Sequence, residues 1–260
     1  MLWSLFLLRN WFGAAGKPMM TGITFLILCF APLSPEQATG AQPPPAYTQT
    51  YRIFLKGEPA GYETVEEKTD KDGNVLSTSE HEIFVTDGME TKRMAFVTSM
   101  LLAKGTFAPI RYSYRYTSGQ SKDSFEVTAK GGKFYSVITR GGHSVETTNS
   151  ITPDMILLDF NVYHQYDYLA RRYDFKKGGR QAFRNYIPLI GNEISTTLSL
   201  LDESNLDTPK GPLSVRNFKI ELGAIRVGTF STDKAGRLVR LEIREQELQV
   251  VRDDLLPKQP

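Results

Sequence analysis

From about Tyr47 to Met100 the chain alternates polar with apolar or β-branched residues, the period of two that belongs to strands with one buried face. Gly57, Asp72-Gly73 and Asp87-Gly88 punctuate this run, and Asp-Gly favours a tight hairpin because both turn positions tolerate positive φ. The pattern continues through Ser118-Gly119, Gly131-Gly132 and Gly141-Gly142 at strand-plus-turn spacing, which predicts an up-and-down antiparallel meander. Within it Ile110, Tyr112, Tyr114 and Tyr116 make one face almost wholly aliphatic and aromatic, while Arg111, Ser113, Arg115 and Thr117 take the other. Alternation resumes in ISTTLSLLD, PLSVRNFKIEL, AIRVGTFST and GRLVRLEIREQELQVVRD, with Lys234-Ala235-Gly236 as a turn. The expectation is roughly ten strands in all, with no internal repeat of fixed period.

One stretch breaks the pattern. Thr152 suits an N-cap, Pro153 the first helical turn, and Asp154 the positive end of a helix dipole. Met155, Leu158, Val162, Tyr166 and Leu169 then recur at three- and four-residue spacing, before Arg171, Arg172 and the stop at Gly178-Gly179. This predicts a helix over about 153–173 with an apolar stripe that must be covered, and the inner face of a sheet is the surface available. The fold class expected is therefore α+β, mainly antiparallel β: a curved sheet or half-open β-barrel packed on one central helix.

Before Tyr47 the chain reads differently. Arg9 and Lys17 precede an apolar core from Ile23 to Phe30, no acid occurs before Glu36, and Ala38, Gly40 and Ala41 are small. That order of basic, apolar and small residues is a secretory signal over 1–40, and Pro32 and Pro35 break the apolar run well short of the about 20 residues that a membrane span needs. Residues 41–46 follow as a Pro-rich spacer, and 47–257 as a single β-rich domain. The location implied is periplasmic or secreted, with membrane contact only transient. The single cysteine, Cys29, lies in the signal's apolar core, so the exported chain would have no thiol for a disulfide, a nucleophile or a zinc site.

Charge narrows the partners. Lys plus Arg number 31 against 29 Asp plus Glu, which leaves no basic footprint for nucleic acid. Catalytic signatures are also missing. His164 and Asp167 are three apart and could share a helix face, but no second ligand motif accompanies them, so a hydrogen-bonded structural role is the better reading. Gly142-His143-Ser144 is not a nucleophile elbow, nothing pairs His81 or His143, and Glu66-Glu67 and Asp253-Asp254 read as solvated edges. No catalytic residue, metal ligand or cofactor is expected. The aromatic cluster Phe160, Tyr163, Tyr166, Tyr168, Tyr173, Phe175, Phe183 and Tyr186 has two readings, a core with its rim or the lining of an apolar ligand cavity. The lining candidates are Leu158, Val162, Tyr166, Leu169, Tyr112, Tyr114, Phe183 and Tyr186.

Tyr51, Ile53, Gly57 and Gly61 of the opening hairpin, Pro109, Tyr112 and Tyr114 of a central strand, and Asp233 with Gly236 before Leu238 occur in an order that resembles a family of exported bacterial proteins of unknown function. That family is similar in architecture to the lipoprotein carrier and receptor (Lol) proteins. The resemblance implies a half-open barrel wrapped about a helix, in the bacterial envelope, holding a lipid or acyl chain. The chain departs from the pattern in its aromatic insert from His164 to Arg184, which puts an open cavity in question. Two functions are expected: a non-enzymatic carrier for an apolar or amphipathic ligand, or an envelope structural protein with a closed core that docks a protein partner.

Overall fold

The computed structural model describes residues 47–87, 90–152, 154–224 and 226–257. The signal and spacer lie outside them, as does Pro153. Eight strands come first: β1 (Tyr47–Leu55), β2 (Glu58–Thr69), β3 (Val75–Asp87), β4 (Glu90–Leu102), β5 (Pro109–Ser118), β6 (Ser121–Lys130), β7 (Lys133–Arg140) and β8 (His143–Ser150). A three-residue strand β9 (Met155–Leu157) and one helix α1 (Gln165–Arg171) follow. The chain closes with β10 (Arg180–Ile187), β11 (Asn192–Thr208), β12 (Gly211–Leu222), β13 (Arg226–Asp233), β14 (Leu238–Ile243) and β15 (Leu248–Arg252).

All fifteen strands join one sheet, in the order β8-β7-β6-β5-β4-β3-β2-β1-β15-β14-β13-β12-β11-β10-β9. The sequence reading undercounts because it merges neighbouring hairpins within long alternating runs. Two meanders are zipped together where β1 pairs antiparallel with β15, Ile53 opposite Val250. The pairing of β9 with β10 is parallel, Met155 beside Arg184.

The sheet has to curl. Its end strands β8 and β9 are the two extremes of the strand order, yet only residues 151–154 separate them in the chain. So short a link spans at most about 17 Å, so the two edges face each other across a seam. No backbone ladder joins them, and side chains bridge the gap. The Tyr186 hydroxyl of β10 lies 2.9 Å from Ser136 Oγ on β7 and accepts from Asn149 Nδ2 at 3.4 Å, while the Phe134 and Tyr186 rings are 5.2 Å apart. Arg140 reaches across to donate to the Leu189 carbonyl.

The helix is much shorter than the spacing predicts. Met155 to Leu158 are all buried, so the run MILL packs on every side, which is how a doubly covered strand reads. Asn185 takes both backbone groups of Leu158, accepting from its N–H at 2.9 Å and donating to its C=O at 3.2 Å. Asp159 accepts from the N–H of Phe160, and Asn161 turns left-handed at φ 61, so the segment between Leu158 and His164 cannot propagate a helix. Stripe positions Tyr166 and Leu169 do fall on α1, whereas Met155, Leu158 and Val162 precede it. Seven residues are too few for a stable helix in water, so tertiary contacts hold this one.

Gly61 shows how closely β3 approaches β2. It sits inside β2, next to the register shift between Ile53 and Phe54, and a Cβ there would stand 2.0 Å from the Glu82 carbonyl oxygen. Gly61→Ala is therefore expected to cost about 3 kcal/mol or more of stability, because both groups that would have to move are backbone. Urea denaturation checks this, and an unchanged midpoint would contradict it.

Candidate functional site

Alternation sends every second side chain of each strand into the curl. β1 contributes Tyr51 and Ile53, β4 Phe96, Thr98, Met100 and Leu102, β5 Tyr112 and Tyr114, and β6 Phe125 and Val127, all buried. Opposite them β12 and β13 supply Phe218, Ile220 and Phe230. Residues Gln165 to Ala170 of α1 are buried as well, so the helix lies within the curl. Tyr166 meets the Phe230 ring edge-on at 5.2 Å, and Tyr168 lies 5.9 Å from Phe107.

All eight lining candidates from the sequence are in this one core. Tyr112, Tyr114, Leu158, Val162, Tyr166, Leu169, Phe183 and Tyr186 are each at most 7% exposed and belong to a single packed cluster. A cavity of about 10 Å³, room for one water, lies between β4, the end of β9 and α1, lined by Met100, Leu102, Leu158, Gln165 and Leu169 among others. Of the eight candidates, Leu158 and Leu169 touch it; the other six pack against protein elsewhere.

A polar knot sits in the same interior. Glu63 of β2 is fully buried and its carboxylate accepts from the N–H groups of Tyr163 and His164, at 3.0 and 3.2 Å, and lies 2.6 Å from His164 Nδ1. It thereby anchors the entry to α1, whose N-cap residue His164 has no side-chain cap of its own. His81 of β3 stands 3.8 Å from the same carboxylate and 3.1 Å from Ser79 Oγ, which in turn bonds Thr98 at 2.7 Å. Burial opposes charge on Glu63, but His81, His164 and these hydrogen bonds together hold its pKa below the usual value. Burial pushes His81 down, with the Glu63 charge pulling the other way.

Two further carboxylates are buried with weaker support. Burial pushes Asp159 up to about 7, against the N–H of Phe160 and the Tyr112 hydroxyl at 3.2 Å that favour its charge. Burial also pushes Asp167 up to about 7, against Arg171 and the N–H of Leu238, 2.7 Å away. His164 and Asp167 thus face different partners, His164 the Glu63 carboxylate and Asp167 the N–H of Leu238. Glu67, read as a solvated edge, instead accepts from the Tyr168 hydroxyl and Arg171, both at 2.9 Å.

Sequence reasoning missed Glu63 and left His81 unpaired. A signal was available in the phase of alternation: Glu63 shares parity with Val65, and His81 with Ile83, so both point inward. Chemically the knot ties three elements together and is sealed, with Glu63, His81 and His164 each at most 1% exposed. Among the described residues no group of three or more His, Cys, Asp or Glu could hold a metal ion. No helix among them is long and apolar enough to cross a membrane.

No family model and no curated protein sequence matches the chain. Solved structures do. A crystal structure of a β-barrel-like protein of domain of unknown function DUF1849 from Brucella abortus superposes with a TM-score of 0.55 at 9% identity, covering 82% of this chain and 95% of that one. A DUF1089 family protein from Pseudomonas aeruginosa aligns with a TM-score of 0.44 at 11% identity, over 83% of this chain and 98% of that one. The first likeness extends to the architecture alone: this chain has the fold of a β-barrel-like domain of unknown function, mostly antiparallel and built from one open, curled sheet.

Proposed function

We propose that this is an exported, non-catalytic protein of the bacterial envelope that works through its outer surface, with the curled sheet closed around its own side chains. The filled interior carries this reading. Aromatic residues from eight strands, helix α1 and the sealed Glu63 knot occupy the curl, and the cavity of about 10 Å³ beside Leu158 and Leu169 admits no more than a water. The signal-like order of residues 1–40 supports export. The test is complementation of a strain deleted for the gene, read as survival under detergent stress, using Leu158→Phe to crowd the remaining cavity. Full complementation by that variant, with a wild-type circular dichroism spectrum, is the expected result; loss of complementation by a folded variant would contradict it.

A second reading keeps a specific observation in its favour. The seam between β8 and β9 is bridged by side chains alone, around Tyr186, Ser136, Asn149 and Arg140, so it is the place where the curl would part to admit an acyl chain as a Lol-like carrier does. Under that reading, Leu158→Trp with Val162→Trp abolishes retention of a lipid while the fold persists.

A further inference from the structure

The outward residues of β5, β6 and β7 form a face that the interior does not use. Arg111 and Arg115 on β5, Lys122 and Lys130 on β6, and Lys133 on β7 are all exposed, and none makes an ion pair among the described residues. Elsewhere on the sheet exposed cations are commonly paired, as Arg93 is with Glu82, Arg180 with Glu221 and Arg184 with Glu193. Three exposed carboxylates share or border the cationic face: Glu126 and Glu146, which flank Val137 in register, and Glu80 of β3, opposite Val97. Five cations against these three acids leave the face positive, although the whole chain stands at only +2.

Exposed apolar groups lie among the charges. Tyr135 is 47% exposed and stands in one cross-strand row with Thr128 and Arg111, while Val137 and Val97 are 37% and 36% exposed. Val97 is directly opposite Arg115. The cations do not converge on a point. From Lys122 to Lys130 along β6 they spread over about 26 Å, and across three strands over about 10 Å, at ordinary strand rise and spacing. A small anion would need converging donors; a dispersed set of cations with an amphipathic tyrosine and valines between them matches an extended anionic surface whose outer layer accepts both.

We infer that the outer face of β5 to β7 docks on an anionic phospholipid bilayer, with Arg111, Arg115, Lys122, Lys130 and Lys133 against the headgroups and Tyr135 at the interface. This names a partner for the surface-acting reading above and rests on it. The experiment is co-sedimentation of the full chain lacking its signal with vesicles of phosphatidylcholine alone, or of equal parts phosphatidylcholine and phosphatidylglycerol. Binding is expected to the second only, and to weaken as salt is raised. Arg111→Glu with Lys133→Glu should reduce it at least tenfold, given about 1 kcal/mol per cation near such a surface. Lys71→Glu, a reversal at the exposed turn between β2 and β3, should leave binding within twofold. Equal binding to both vesicles, no binding, or binding indifferent to the double reversal would overturn the inference. Where vesicles fail but crosslinking in the envelope captures a protein, the surface-acting reading stands and the bilayer falls. Where the isolated protein carries a lipid inside, the reading itself falls.

Discussion

Replacing Glu63 with alanine is expected to cost about 3–5 kcal/mol of folding stability, the largest single-residue effect in the molecule, because it strips the partner from several buried groups at once. The N–H groups of Tyr163 and His164 and the Nδ1 of His164 all converge on that carboxylate, and Glu63 and His164 are each at most 1% exposed. Glu63→Gln keeps one acceptor oxygen and should lose roughly half as much. His164→Ala leaves the two N–H bonds in place and should fall between. Urea unfolding at neutral pH measures all three, and a Glu63→Ala midpoint within error of wild type would remove the knot from the account of what holds α1 in the curl.

The second large effect is on pH. Asp159 and Asp167 have folded pKa values of about 7 against ordinary values of 3.8, so the folded state holds more protons than the unfolded one between those limits. Stability from these two groups is fully present below 3.8 and is lost as pH rises through 7, by a few kcal/mol at most for each. His81 and Glu63 act in the opposite sense: both are depressed in the fold, so they withdraw stability as pH falls below 6.5 and 4.5 respectively. Two groups outweigh one between 4.5 and 6.5 and two offset two between 3.8 and 4.5, so stability should rise as pH drops from about 7 to about 4.5 and turn down below 3.8. Denaturant midpoints across that range test the sign. Asp159→Asn should flatten the slope, and stability that climbs toward pH 8 would show that neither aspartate is buried as described.

The strand pattern was largely legible in the sequence because alternation is a local property: the inward parity of Tyr112 and Tyr114, the turn at Gly131-Gly132 and the closing strands around Leu241 and Val250 all follow from it. The helix was not, because Met155, Leu158 and Val162 have helical spacing while the backbone of Leu158 is claimed by Asn185, 27 residues away. Contacts of that kind leave no mark in a short window. The same holds for Glu63 and His164, 101 residues apart, and for the pairing of β1 with β15 that turns two meanders into one sheet. Whether the aromatic cluster around Tyr163 and Tyr166 lines a cavity or fills it depends on how rings from distant strands interlock, as Tyr166 does with Phe230, and composition carries no information on that.

The filled interior is the claim on which the functional account turns. Native mass spectrometry of the protein, released gently from an envelope fraction and measured without prior extraction, addresses it directly. A bare polypeptide mass is the expected result. A species heavier by the mass of a lipid, and restored to the bare mass by solvent extraction, would show that the curl opens in the cell and would contradict it.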